Sequence, residues 1–228
     1  MAERGAACGR RVRGSAAQPA RQGPARAGSK SQGRLPEAAL DTSATKCNDL
    51  SVMVQAQLVL DVLYRHAVTD VVSLPDNASA GLVTLIREAD DMRLLSVTRE
   101  GEAFALAAGL WIGGRNPVVL IQNTGLLESG DSLRGTLMRM RIPVVCLVTY
   151  RGYAKLARWN GAALEPSPEV LSRPDMDSVA VVTEPTLRAW GLWFDFLRTD
   201  DVVKISTAFA QAKQLSAPVV LLVTQDMT

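Results

Sequence analysis

Three short segments, Val118–Ile121, Val144–Thr149 and Pro218–Val223, consist almost wholly of Val, Leu and Ile and show no polar residue at every second position. A strand with one wet face alternates; a strand without alternation is buried on both faces, which places it inside a parallel sheet covered by helices above and below. Val68–Leu74 and Leu94–Thr98 are shorter on apolar residues but rich in β-branched ones, and they extend the same set.

The intervening stretches carry helical spacing. Leu50, Val54, Leu58, Leu60, Val62, Leu63 and Tyr64 mark a first helix that ends at His66, and Leu82, Leu85 and Ile86 mark a second. Further helices are predicted over residues 102–113, Ser132–Met140 and Asp200–Gln214. Asn160–Asp177 is rich in Pro, Ser and charge and reads as a surface excursion, and Trp190–Leu197 as a short apolar segment. The expected fold is α/β, a three-layer doubly wound, mostly parallel sheet with helices on both faces. Ligands of such sheets bind beyond the carboxyl ends of the strands. Those ends carry Pro75-Asp76-Asn77, Arg99-Glu100, Gln122-Asn123-Thr124-Gly125 and Tyr150-Arg151-Gly152.

The net charge of +2 hides an asymmetry, because residues 1–46 hold nine Lys or Arg against three Asp or Glu, while the remainder holds sixteen against twenty. Residues 1–34 have almost no large apolar side chains and cannot offset the entropy of ordering. The expected organisation is a disordered basic tail over 1–46 and one domain over 47–228. No apolar run is long enough to cross a bilayer. Cys8, Cys47 and Cys146 are odd in number and lack metal-ligand spacing. A cytoplasmic protein without a disulfide framework is expected.

Glu100 follows a strand directly and opens an Ala-rich helix with Gly109 nine positions on, where a missing side chain would let a backbone or ligand approach closely. In Thr98-Arg99-Glu100, with Ala103, Ala107, Ala108 and Gly109, the chain resembles the pyrimidine-binding domain of thiamine diphosphate-dependent decarboxylases. With Leu74-Pro75-Asp76-Asn77, Gln122-Asn123-Thr124-Gly125 and Tyr150-Arg151-Gly152, it resembles the alpha subunit of the sulfopyruvate and phosphonopyruvate decarboxylase group over about residues 50–225. The resemblance implies that Glu100 shares a proton with N1′ of the cofactor's aminopyrimidine. It implies a cofactor-binding set of Pro75, Asp76, Asn77, Glu100, Gln122, Asn123 and Thr124. It also implies nonoxidative decarboxylation of a 2-oxo acid bearing a second anionic group.

The Gly-Asp-Gly element with a spaced Asn that holds Mg²⁺ and diphosphate in full-length relatives is not found; Gly130-Asp131-Ser132 is the nearest string. The resemblance therefore implies a separate beta subunit that brings Mg²⁺ and diphosphate, in a hetero-oligomer. Arg134, Arg139, Arg141, Arg151, Lys155 and Arg158 crowd the fourth strand, and Arg151, directly after it, is the expected substrate contact. Glu102 reads as a first-turn helix charge, and Asp76 and Asn77 either cap the second helix or line the site. Gln122 and Asn123 either satisfy turn backbone or contact the ligand. His66 reads as a helix-end or turn residue, and Trp190 and Trp193 as core or interface. Two other functions stay open: carboligation with the same cofactor, and a noncatalytic partner that keeps the fold. A dinucleotide site is disfavoured because no Gly-x-Gly-x-x-Gly follows the first strand.

Overall fold

A computed structural model describes residues 53–157, 164–199 and 201–228, so the tail expected over 1–46 lies outside the described residues. Six strands form one sheet: β1 (Asp70–Ser73), β2 (Arg93–Ser96), β3 (Pro117–Gln122), β4 (Val145–Thr149), β5 (Trp193–Leu197) and β6 (Val219–Val223). Their order is β2-β1-β3-β4-β6-β5, and every neighbouring pair is parallel. The α/β, doubly wound expectation holds, and the sheet is parallel throughout.

Two cores, one on each face, follow from the two-residue period of the strands. On one face Val71, Val118, Leu120, Val145, Leu147, Val219 and Leu221 meet α1 (Ala56–Arg65), α2 (Ala80–Glu88) and α9 (Val203–Leu215). On the other, Val72, Val119, Ile121, Cys146, Val148, Val220 and Leu222 meet α3 (Glu100–Ile112), α4 (Asn123–Glu128), α5 (Gly130–Leu133) and α8 (Ser178–Ala189). Each fully buried Val, Leu or Phe side chain contributes about 1.5–3 kcal/mol, so Phe104 and Leu187 alone anchor α3 and α8 firmly. Two short helices, α6 (Tyr153–Ala157) and α7 (Pro168–Leu171), lie between β4 and α8.

Several expectations are revised. The helix expected over Ser132–Met140 is instead a segmented run: α4 starts directly at Asn123, breaks at Ser129 (φ −95°, ψ 13°), and continues through α5 into a π-helical turn at Arg134–Met138. The string Gln122-Asn123-Thr124-Gly125 is therefore a strand end followed by a helix start. Helix α8 was not expected; Pro185 sits inside it, and its first turn is set by Asp177, whose carboxylate accepts the Val179 N–H. Trp193–Leu197, read only as an apolar segment, is the edge strand β5, where Asp195 pairs with Lys204. Among the described residues no helix is long and apolar enough to cross a membrane.

Candidate active site

From β1 the chain moves to β2 on one side and then returns to β3 on the other, so the carboxyl ends of β1 and β3 flank the point where the winding reverses. Asp76 organises that point. Its Oδ1 accepts the Ser79 N–H at 2.8 Å, while Oδ2 accepts from Gln122 Nε2 at 3.1 Å and from the Thr149 hydroxyl. One carboxylate thus ties the segment after β1 to the last residues of β3 and β4 and holds the N–H of Ser79 just before α2. A cavity of about 590 Å³ opens beside it, its wall including Asp76, Asn77, Gln122, Arg151, Lys155 and Asp226.

Among the residues expected to touch the cofactor, Asn123 has another use. Its side chain is fully buried; Nδ2 donates to the Arg151 carbonyl (3.2 Å) and to Thr183 Oγ1 (3.0 Å), and Oδ1 accepts the Arg151 N–H (3.2 Å). With both amide N–H groups engaged and its oxygen accepting one hydrogen bond, Asn123 fixes the backbone at Arg151 and the Thr183 side chain. Thr124 is exposed and donates to Gln122 Oε1 (3.1 Å), and Pro75 is exposed; neither lines the cavity. Arg151 does line it, with Nε held by Asp177 at 2.9 Å.

Glu100 stands apart from that cavity wall. It is the first residue of α3, half-buried, and among the described residues no hydrogen bond reaches its carboxylate. Its side chain lies flat against Gly125 in the first turn of α4: a Cβ at Gly125 would collide with Cγ, Cδ and Oε1 of Glu100. The first turn of α3 is also pinned, since Ser132 Oγ donates to the Gly101 carbonyl at 2.6 Å. Glu102 instead caps its own helix. It accepts the Thr98 N–H at 3.0 Å and the Thr98 hydroxyl, and these bonds hold its carboxyl below the usual glutamate range. Arg99 is paired with Glu128, its Nε reaching Oε1 at 2.9 Å. The close approach expected at Gly109 is not made within this chain; nothing lies within 4 Å of where its Cβ would stand, and the position is exposed.

A family described as thiamine pyrophosphate enzyme, N-terminal TPP binding domain, matches residues 53–167. The chain belongs to this family. It is similar to a phosphonopyruvate decarboxylase of Streptomyces hygroscopicus, 37% identical over 100 residues, covering 44% of this chain and 25% of that protein. It is also similar to the sulfopyruvate decarboxylase subunit alpha of Methanococcus maripaludis, 26% identical over 118 residues, covering 48% of this chain and 71% of that subunit. The chain thus spans about a quarter of the first relative and most of the second. Among solved structures, benzoylformate decarboxylase from Polynucleobacter necessarius shares the fold, with a TM-score of 0.54 and 19% identity over 75% of this chain and 30% of that one.

For a thiamine pyrophosphate enzyme domain the residue whose setting bears on the fit is Glu100. Its carboxylate, without a hydrogen bond among the described residues and lying over a glycine that leaves no room for a side chain, is open to a proton-sharing partner from outside the chain, as a ring nitrogen would be. Among the described residues no group of three or more His, Cys, Asp or Glu is placed to hold a metal ion. The fit predicts that Gly125→Ala displaces the Glu100 carboxylate. A misplacement of that kind costs roughly 10²-fold in turnover. Turnover in a thiamine pyrophosphate-dependent assay is expected to fall accordingly while the fold is retained, and a rate assay paired with a thermal melt checks this.

Two residues carry structural weight that the sequence did not assign: Tyr150, read only as part of a strand-end string, and Asp70, not singled out at all. Tyr150, in the cavity wall, donates to the Ala180 carbonyl at 2.9 Å, and burial, with Glu184 close by, pushes its hydroxyl above the usual tyrosine range. Asp70, fully buried at the opposite end of β1, holds two arginines. The remaining expectations are modest: Cys146 is buried, its thiol pushed up to about 12 by desolvation, and His66 stacks on Phe209 with centroids 4.4 Å apart at the end of α1. Trp190 packs over Gly130, where a Cβ would fall 2.6 Å from Cζ2 of the indole.

Proposed function

We propose that this chain is the pyrimidine-binding half of a thiamine diphosphate-dependent, nonoxidative decarboxylase acting on a small anionic 3-substituted pyruvate such as sulfopyruvate or phosphonopyruvate. A separate diphosphate-binding chain completes the site and holds Mg²⁺, and the assembly works in the cytoplasm. The observation that carries this reading is the Glu100 carboxylate, unengaged within the chain and seated over Gly125 at the start of α3. The family membership and the likeness to proteins named as phosphonopyruvate decarboxylase and sulfopyruvate decarboxylase subunit alpha support it.

The cofactor, when bound, supplies the electron sink that lets carbon dioxide leave a 2-oxo acid. The protein's part is placement and a proton. Glu100 holds or gives a proton at the aminopyrimidine ring nitrogen, and a positioned carboxyl in such a role contributes roughly 10²- to 10⁴-fold. Asp76 and Gln122 keep the ends of β1 and β3 in register at the cavity, whose wall also includes Asn77. The outer face of α3 supports a partner surface: Leu106 and Ile112 remain 39% and 60% exposed on either side of Gly109.

The test is to co-express the chain with a candidate partner carrying Gly-Asp-Gly and a spaced Asn, purify the complex, and follow carbon dioxide release from both acids. Release that requires thiamine diphosphate and Mg²⁺ is the expected result. A stable complex that releases none from either acid overturns the decarboxylase reading in favour of a noncatalytic partner or carboligation.

A further inference from the structure

The cavity at the strand ends has a cationic side that the Glu100 chemistry does not use. Arg151 leaves β4 under tight constraint. Asn123, itself fully buried, clamps both its N–H and its carbonyl, each at 3.2 Å. The next residue, Gly152, adopts φ +84° in a space where a Cβ would stand 2.7 Å from the Asp177 Cβ and 2.9 Å from the Ala180 Cβ. The guanidinium is held by one edge only, Nε to Asp177 Oδ2 at 2.9 Å, and Asp177 is fixed in turn by the Val179 N–H at 3.3 Å. Among the described residues the Nη groups of Arg151 have no hydrogen-bond partner.

Lys155, in α6, lines the same cavity, is exposed, and makes no ion pair or hydrogen bond among the described residues. The nearby acids do not cancel this pair evenly. Both oxygens of Asp76 are engaged by Ser79, Gln122 and Thr149, and Asp177 is engaged by Arg151 and Val179; Asp226, exposed, is the remaining carboxylate in the wall. A guanidinium held through Nε with its outer N–H groups open, in one cavity wall with an exposed ammonium carrying three donors, suits a tetrahedral oxyanion with several acceptor oxygens.

We propose that Arg151 and Lys155 seat the second anionic group of the substrate, a sulfonate or phosphonate on C3 of the 2-oxo acid, with Asn123 and Asp177 as positioning residues for Arg151. This rests on the decarboxylase reading and assigns Lys155 as the specificity-determining residue of that site. The seat distinguishes acids by their distal group: pyruvate, with a methyl group there, offers no acceptor to the Arg151 Nη groups or to Lys155.

Calorimetric titration of the full-length chain with 3-sulfopropanoate, 3-phosphonopropanoate and propanoate tests it. The probes lack the 2-oxo group, so their binding needs neither cofactor nor turnover. Binding of at least one of the two distal oxyanions is expected, with propanoate at least tenfold weaker. Lys155→Met should weaken the bound probe about tenfold, the value of one lost charge-assisted hydrogen bond, and Lys155→Arg should retain most of the affinity. Whichever probe binds more tightly identifies sulfonate or phosphonate as the group recognised. No binding of either oxyanion, or equal binding by wild type and Lys155→Met, overturns the seat. Intact, Lys155-dependent binding in a complex that releases no carbon dioxide would instead overturn the decarboxylase reading and leave the seat standing.

Discussion

Glu100→Gln is expected to lower turnover of the assembled complex by roughly 10²-fold or more while leaving the chain folded and its association unchanged. The substitution is nearly isosteric, so the contact with Gly125 persists, and the only group lost is the titratable carboxylate. Removing a negative charge from the first turn of α3 weakens its interaction with the helix dipole by about 0.3–1 kcal/mol, too little to unfold a helix anchored by buried Phe104, Ala103 and Ala107. Glu102→Gln supplies the control. That carboxylate accepts from Thr98 and has no place in the proposed chemistry, so its loss should lower stability slightly and leave the rate within a fewfold of wild type. Turnover and urea denaturation measured on both variants separate the two roles. A Glu100→Gln complex as fast as wild type would remove Glu100 from the proton relay.

The contrast between these glutamates also marks how far the sequence was legible. The strands could be read because Val118–Ile121, Val144–Thr149 and Val219–Val223 are apolar on both faces, and the structure buries them on both faces. Glu100 could be singled out because a strand end, a carboxylate and an Ala-rich helix are adjacent in the chain. Asn123 looked equally suitable by position, yet its partners Arg151 and Thr183 are 28 and 60 residues away and pull its side chain into the interior. Helix α8 was obscured by Pro185, which ordinarily ends a helix but here is carried by the packing of Ala180, Val181 and Leu187. Lys155 was one of several basic residues around the fourth strand; only the fold shows that it and Arg151 share a cavity wall.

Asp70 was invisible for the same reason, and it carries the largest stability prediction. It starts β1, opposite Arg93 of β2 and Pro117 of β3, at the end of the sheet away from the candidate site. Arg93 donates from Nε at 2.7 Å and Nη2 at 2.6 Å, Arg115 from Nε at 2.7 Å, and Thr69 from its hydroxyl at 2.7 Å. The carboxylate is fully buried, whereas the side chains of Arg93 and Arg115 are 54% and 39% exposed. Burial alone would raise its pKa; the hydrogen bonds from Arg115, Thr69 and Arg93 outweigh it and hold the group below the ordinary aspartate value. Asp70→Asn leaves two guanidiniums facing a neutral amide. Because both arginines can turn to water, the cost is set near the low end for a broken buried pair, about 3 kcal/mol. For a domain of this size that is roughly 6–12 °C in Tm. The sign of the pH dependence follows from the lowered pKa: the unfolded chain binds the proton more readily, so the contribution is complete above the ordinary aspartate pKa of 3.8 and is lost as pH falls through the folded value. The stability gap between wild type and Asp70→Asn, measured by urea denaturation, should therefore be constant from pH 7 to pH 5 and shrink as pH falls below about 4. A gap of the same size at pH 3 as at pH 7 would mean that the ionised carboxylate is not what joins the three strand starts.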